Sequence, residues 1–97
     1  MFDKMKQLME MQKKMQEIKR ELDNTNFEIA SSDGIVKITM NGSQEVKDII
    51  LQRPPQELEK ANLEKALKDA YNRAIKCSHD IAAQKMKDVT GFNLSGL

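Results

Sequence analysis

The chain has 97 residues, enough for one domain. Its 16 Lys and Arg against 15 Asp and Glu leave a net charge of +1, so a case for a polyanionic partner must rest on where the charges fall. The lone Cys77 excludes an intrachain disulfide and favours a reducing compartment, and the longest strictly apolar run, Ile49-Ile50-Leu51, is far too short to cross a bilayer.

The N-terminus interleaves charge with apolar side chains (Met1-Phe2-Asp3-Lys4-Met5-Lys6) and holds no signal-peptide core. A soluble cytoplasmic protein is expected. From Asp3 to Asp23 there is neither Gly nor Pro, and strong helix formers dominate, which predicts a helix over 1–24. Leu8, Met11, Met15, Ile18 and Leu22 follow the 3-4-3-4 spacing of a packed seam. Lys6, Lys13 and Arg20 fall opposite that seam, either as a solvated face paired with Glu10 and Glu17 or as a basic rail for phosphates. Met5, Met9, Met11 and Met15 crowd the same helix and suit core, dimer contact or an adaptable binding surface.

Residues 25–52 read as a three-stranded meander. Val36, Ile38 and Met40 alternate with Lys37 and Thr39, the period-2 pattern of a strand with one wet face. Ser31-Ser32-Asp33-Gly34 and Asn41-Gly42 supply the turns, with Gly and Asn expected at positive φ. Val46 and Ile49 break the alternation, so either a bulge lies between them or Val46 belongs to the turn. Arg53-Pro54-Pro55 closes the third strand.

Asn62 is then a plausible N-cap for a long helix over 62–90, with Glu64 in its first turn and Gly91 as its stop. A helix of that length spans roughly 43 Å, whereas a compact domain of this size has a radius of gyration of roughly 13 Å. It should overhang its own domain, and a second chain is the simplest cover. Leu63, Leu67, Ala70, Ala74, Cys77 and Ile81 alternate by fours and threes, while Ala66, Ala70 and Ala74 admit a close neighbour such as the sheet or a dimer mate. Phe27 and Tyr71 read as core, and 91–97 as an irregular tail containing Phe92.

Catalytic chemistry is scarce. Cys77 and His79 lie two apart on a helix and diverge, as do His79 and Asp80, and no metal-ligand spacing or Gly-rich phosphate loop exists. No enzyme, cofactor, metal or small-molecule substrate is expected. The remaining chemistry is cationic: Lys65, Lys76 and Lys87 recur every eleven residues, close to three turns, with Lys68 and Arg73 nearby. Arg20, Arg73, Asn72 and Gln84 could reach base edges, but none is specific. Without aromatic stacking platforms, duplex is favoured over single strands.

The order of parts carries a further signal. A Met/Gln/Lys-rich helix (Met9-Glu10-Met11-Gln12-Lys13-Lys14-Met15-Gln16) leads to Gly34-Ile35-Val36-Lys37-Ile38-Thr39-Met40-Asn41-Gly42. Val46, Ile49 and Leu51 follow, then Pro, then a long helix with Ala70, Tyr71, Asn72, Ala74 and Lys85-Met86, and the ending Thr90-Gly91-Phe92-Asn93-Leu94-Ser95-Gly96-Leu97. Over almost its whole length the chain resembles the YbaB/EbfC family of bacterial nucleoid-associated proteins. The resemblance implies an α+β homodimer with joined meanders and projecting helical arms, double-stranded DNA as ligand, location at the nucleoid and an influence on gene expression. Two features depart from the family pattern: no glycines interrupt Asp3 to Leu8, and Gln52-Arg53-Pro54 stands where Asp-Pro is common. Charge geometry nominates Lys6, Lys13, Arg20, Lys65, Arg73, Lys76 and Lys87 for phosphate contacts, and Leu8, Met11, Met15 and Ile18 for the dimer interface. The rival reading is an adaptor or holdase-like dimer that uses the Met-rich helix as an apolar groove.

Overall fold

The structure, a computed structural model, describes residues 2–90. Helix α1 (Phe2–Asp23) leads into strands β1 (Asn26–Ala30), β2 (Val36–Asn41) and β3 (Val46–Leu51), followed by a 3-10 turn (Pro55–Glu57) and helix α2 (Lys60–Thr90). This is the expected α+β order. The irregular tail expected at 91–97, with Gly91 and Phe92, lies outside the described residues. One boundary differs. The Glu59 carbonyl already accepts the N–H of Leu63 at 2.9 Å, so α2 starts at Lys60 and Asn62 sits inside its first turn rather than capping it. Glu64 consequently lies past that turn, 3.9 Å from Lys60. At the other junction, Thr25 Oγ1 donates to the Glu21 carbonyl at 2.6 Å and Asn24 Nδ2 to that of Arg20 at 2.9 Å, closing the orphaned carbonyls of α1.

The sheet is antiparallel in the order β1-β2-β3. Ile29 pairs with Ile38 and Phe27 with Met40, so the apolar residues of β1 and β2 share one face. On β3 the bulge falls at Lys47: Thr39 pairs with Asp48 but Met40 with Val46. That extra residue returns Val46 to the face of Ile49 and Leu51, as the broken alternation allowed. The opposite face is wet, with Lys37 Nζ 3.4 Å from Glu28 Oε2.

Helix α2 crosses the apolar face over β2 and β1. Its buried row is Ala66, Ala70, Ala74 and Ser78, four apart, so small side chains let the helix approach Val36, Ile38 and Met40 closely. Each of those three strand residues is sealed from solvent and contributes roughly 1.5–3 kcal/mol of burial. Ser78 had no apolar signal by which the sequence pattern could place it in this row.

The two hairpin turns use their glycines differently. Gly34 takes φ +75 in the first turn, as expected. In the second the left-handed residue is Gln44 (φ 64), not Gly42. Gly42 is needed for closeness instead, because a Cβ there would meet Leu22 Cδ2 at 2.8 Å and the Leu22 carbonyl oxygen at 3.2 Å. The same approach lets the Gly42 N–H donate to the Leu22 and Thr25 carbonyls, each at 3.0 Å.

Candidate nucleic-acid interface

Helix α1 leaves the sheet as an arm. Among its described side chains only Ile18 is buried (4% exposed) and Leu22 half-buried, while Leu8, Met11 and Met15 remain 62%, 59% and 46% exposed. The predicted seam is therefore split: its C-terminal part packs within the chain and its N-terminal part is bare. Glu21 Oε2 pairs with Lys85 Nζ at 3.3 Å, which sets the root of the arm beside α2. The outcome is an elongated chain, 66 × 25 × 16 Å, with a Cα radius of gyration of 18.1 Å.

On the side of α1 opposite the seam stand Lys6, Lys13 and Arg20, all exposed. The anticipated pairs of Lys6 with Glu10 and Lys13 with Glu17 do not form; among the described residues no carboxylate lies within ion-pair distance of the three cations. Lys65, Lys76 and Lys87 are likewise exposed and unpaired among the described residues, on the side of α2 opposite its buried row. At 1.5 Å per residue they are spaced by roughly 16 Å. None of these six cations is held by a carboxylate among the described residues.

Arg73 is not equally free. Its Nε reaches Asp69 Oδ1 at 3.2 Å and its Nη2 donates to Ser32 Oγ at 2.6 Å. Asp69 Oδ2 in turn accepts the Ser32 N–H at 2.7 Å and the Ser32 hydroxyl at 2.8 Å. Arg73 thus belongs first to a clamp that holds the β1–β2 turn on α2, although its side chain stays 53% exposed. The Ser32 donors hold the Asp69 carboxyl below its ordinary range, backbone N–H foremost. In the same turn Ser31 Oγ donates to Asp33 Oδ1 at 2.6 Å and lowers that carboxyl similarly. Asp69 and Asp33 interrupt the cations Lys65 and Lys68 around the shallow depression beside the clamp. His79 is exposed, with Nδ1 3.9 Å from Asp80 Oδ1, beyond hydrogen-bond reach.

The sequence reading missed one surface. Tyr71, expected in the core, is 47% exposed, and Val46 and Ile49 are 41% and 48% exposed although they share the core-facing side of the sheet. Because α2 lies over β2 and β1, the β3 part of that face is bare. Leu67, Tyr71 and Ile75 lie on the flank of α2 away from Asp69 and Arg73, with Leu67 and Ile75 packed against the core and Tyr71 exposed. Phe27, by contrast, does pack against the core.

The sequence profile of the YbaB/EbfC DNA-binding family matches residues 1–93. The chain belongs to that family. Nucleoid-associated proteins of Gloeothece citriformis and Dictyoglomus thermophilum are 39% and 32% identical to it, each across 99% of this chain and over 82% and 89% of the relative. One from Ruminiclostridium cellulolyticum is 30% identical over 96% of this chain and 81% of the relative. A crystal structure of an uncharacterized Helicobacter pylori protein superposes with TM-score 0.78, covering 93% of this chain and 97% of that one at 20% identity, and shares the fold. Six of the nominated cations, Lys6, Lys13, Arg20, Lys65, Lys76 and Lys87, thus stand on helices α1 and α2 of this YbaB/EbfC chain. No helix among the described residues is long and apolar enough to cross a membrane.

Proposed function

We propose that this protein is a homodimer that binds double-stranded DNA through phosphates along its helical arms, acting in the cytoplasm at the nucleoid and influencing gene expression. The observation that carries the DNA reading is the unpaired row Lys6, Lys13 and Arg20, backed by Lys65, Lys76 and Lys87. Its cations need break no ion pair among the described residues to meet a phosphate, and no set of described side chains converges on a base-sized site, so contacts to the backbone dominate over readout of sequence. Arg73 is a secondary contact, since part of its guanidinium already serves the clamp.

The dimer reading is supported by the thin core. Of the seven buried apolar side chains among the described residues, three are alanine, while Val46, Ile49 and Tyr71 stay uncovered beside it. An edge strand with a bare apolar face suits a second copy of itself.

Affinity for a short duplex, measured by fluorescence anisotropy across salt concentrations, tests the function. Four to eight phosphate contacts give a log–log slope of roughly −4 to −7. The double variant Lys13→Glu with Arg20→Glu is expected to remain dimeric, to bind at least about tenfold more weakly and to show a shallower slope. Unchanged affinity in that variant would remove the α1 row from the site. A flat salt response in the native protein would favour the adaptor reading, in which the exposed methionines bind apolar peptides.

A further inference from the structure

We propose that Asn41-Gly42 is a spontaneous deamidation site which the docked root of α1 keeps silent, and that its conversion to aspartate or isoaspartate releases the α1 arm. Asparagine is a thermolabile side chain, and a following glycine favours its loss because no Cβ shields the attacking backbone nitrogen. Among the asparagines of the chain only Asn41 precedes a glycine. The reaction needs no other protein. The Gly42 nitrogen loses its proton to solvent base and attacks Asn41 Cγ, the side-chain amide leaves as ammonia, and a cyclic imide forms. Water then opens either C–N bond of the imide, giving aspartate or isoaspartate.

The fold treats the electrophile and the nucleophile of this reaction differently. Asn41 Oδ1 accepts the N–H groups of Ser43 and Glu45, each at 3.0 Å, which draws charge from Cγ and favours the oxyanion of the attack. Both donors belong to the β2–β3 turn. The nucleophile, by contrast, is blocked from α1. The Gly42 N–H is shared between the Leu22 and Thr25 carbonyls, and the Asp23 carbonyl holds Asn41 Nδ2 at 3.1 Å. Asn41 has no exposed surface, which keeps out base and water. Withdrawal of the end of α1 alone therefore uncovers the Gly42 nitrogen while the turn still polarises Cγ. Local opening of that segment, short of unfolding the chain, is the event that permits the reaction.

The product cannot rebuild the junction. A carboxylate at position 41 has no hydrogen to give the Asp23 carbonyl, and it stands against the Glu45 carboxylate that the amide meets at 2.9 Å. Both contacts turn repulsive at a site without water. The arm then keeps only Ile18, Leu22 and the Glu21–Lys85 ion pair as anchors among the contacts described above. Because ammonia is lost, released arms accumulate with the age of the protein. One further consequence rests on the DNA-binding reading: Lys6, Lys13 and Arg20 lose their fixed position relative to α2.

The test incubates the full chain in mildly alkaline buffer. Peptide mapping by mass spectrometry follows the replacement of NH by O at Asn41, and NMR follows hydrogen exchange of the Gly42 amide. The folded protein should deamidate at least about tenfold more slowly than the chain held in denaturing urea. Ile18→Ala, which loosens α1 without touching the reacting atoms, should raise deamidation and Gly42 exchange together, each at least about tenfold. Asn41→Asp, the product made directly, should exchange the Gly42 amide at least about tenfold faster than native. Deamidation as fast in the folded protein as in urea, a rate unmoved by Ile18→Ala, or Asn41→Asp with Gly42 as protected as in the native chain would overturn the proposal. Should Ile18→Ala not fold, the native protein in sub-denaturing urea decides. A rate that rises less steeply than global unfolding supports release at α1, and one that tracks global unfolding overturns it. Duplex affinity enters none of these readouts, so failure of the DNA-binding reading would leave them intact.

Discussion

Asn41 has no exposed surface, yet every hydrogen-bonding position of its side chain is used. Oδ1 accepts the N–H groups of Ser43 and Glu45, both at 3.0 Å, and Nδ2 donates to the Asp23 carbonyl at 3.1 Å and to Glu45 Oε1 at 2.9 Å. Its own carbonyl accepts from Ser78 Oγ at 3.0 Å, and Ser78 Oγ receives the Gln44 N–H at 3.1 Å. Ser43 Oγ completes the junction by donating to Asp23 Oδ1, which lowers that carboxyl. One residue thus joins the end of α1, the β2–β3 turn and α2. Asn41→Ala strips partners from buried donors and acceptors and is expected to cost about 2–4 kcal/mol, read as a lower urea midpoint at unchanged slope. The sequence marked Asn41-Gly42 as a turn but for a different reason. Positive φ is a local property that propensity can suggest, whereas saturation by three separate elements and the approach of Leu22 to Gly42 exist only after folding.

The elements themselves were largely legible. Alternation in β2, the broken phase of β3 and the uninterrupted helix formers of α1 each followed from a period that local geometry imposes. The start of α2 was misjudged because Asn62 looked like a cap, while the helix begins at Lys60 after Glu59. The core was harder to read, since burial of Ala66, Ala70, Ala74 and Ser78 depends on where α2 crosses the sheet. What fixes that crossing at the β1–β2 turn is the clamp of Ser32, Asp69 and Arg73. Because Asp69 is held below 3.8 in the folded chain, its ionised form stabilises the fold fully above that pH. The contribution is lost as pH falls through 3.8 toward the lowered folded value. Asp69→Asn should therefore melt at a lower temperature than the native protein at pH 7, with the gap closing below about pH 4. Thermal melts followed by circular dichroism across that range would show it; a gap independent of pH would mean that shape rather than charge secures the clamp.

At the scale of the molecule, length against compactness already implied an overhang, and the radius of gyration of 18.1 Å against roughly 13 Å for a compact domain bears it out. The overhang includes α1, whose residues 3–17 are all exposed, and not the long helix alone. The candidate site was only partly readable, because charge spacing located the exposed cations but could not distinguish Arg73 in a clamp from Lys76 in the open. Tyr71 was misplaced in the core for a related reason, and the bareness of Val46 and Ile49 could not be read at all: an apolar pattern records that a surface is to be covered, not by which chain. If β3 joins the dimer, Ile49→Asp should yield a folded monomer whose salt slope for duplex binding is about half that of the native protein. Sedimentation beside anisotropy checks both parts, and a variant that stays dimeric would move the interface elsewhere.

The junction at Asn41 has a mechanical meaning. Helix α1 is a rod of roughly 33 Å held at one end, so that junction is a fulcrum and Lys6 rides near the tip of a lever. A tilt of about 10° there displaces the tip by about 6 Å, comparable with the distance between neighbouring phosphates along a strand, while leaving the sheet unchanged. If the two rails of cations bind a duplex as proposed, Ser43 and Ser78 at this fulcrum set the gauge at which they meet it.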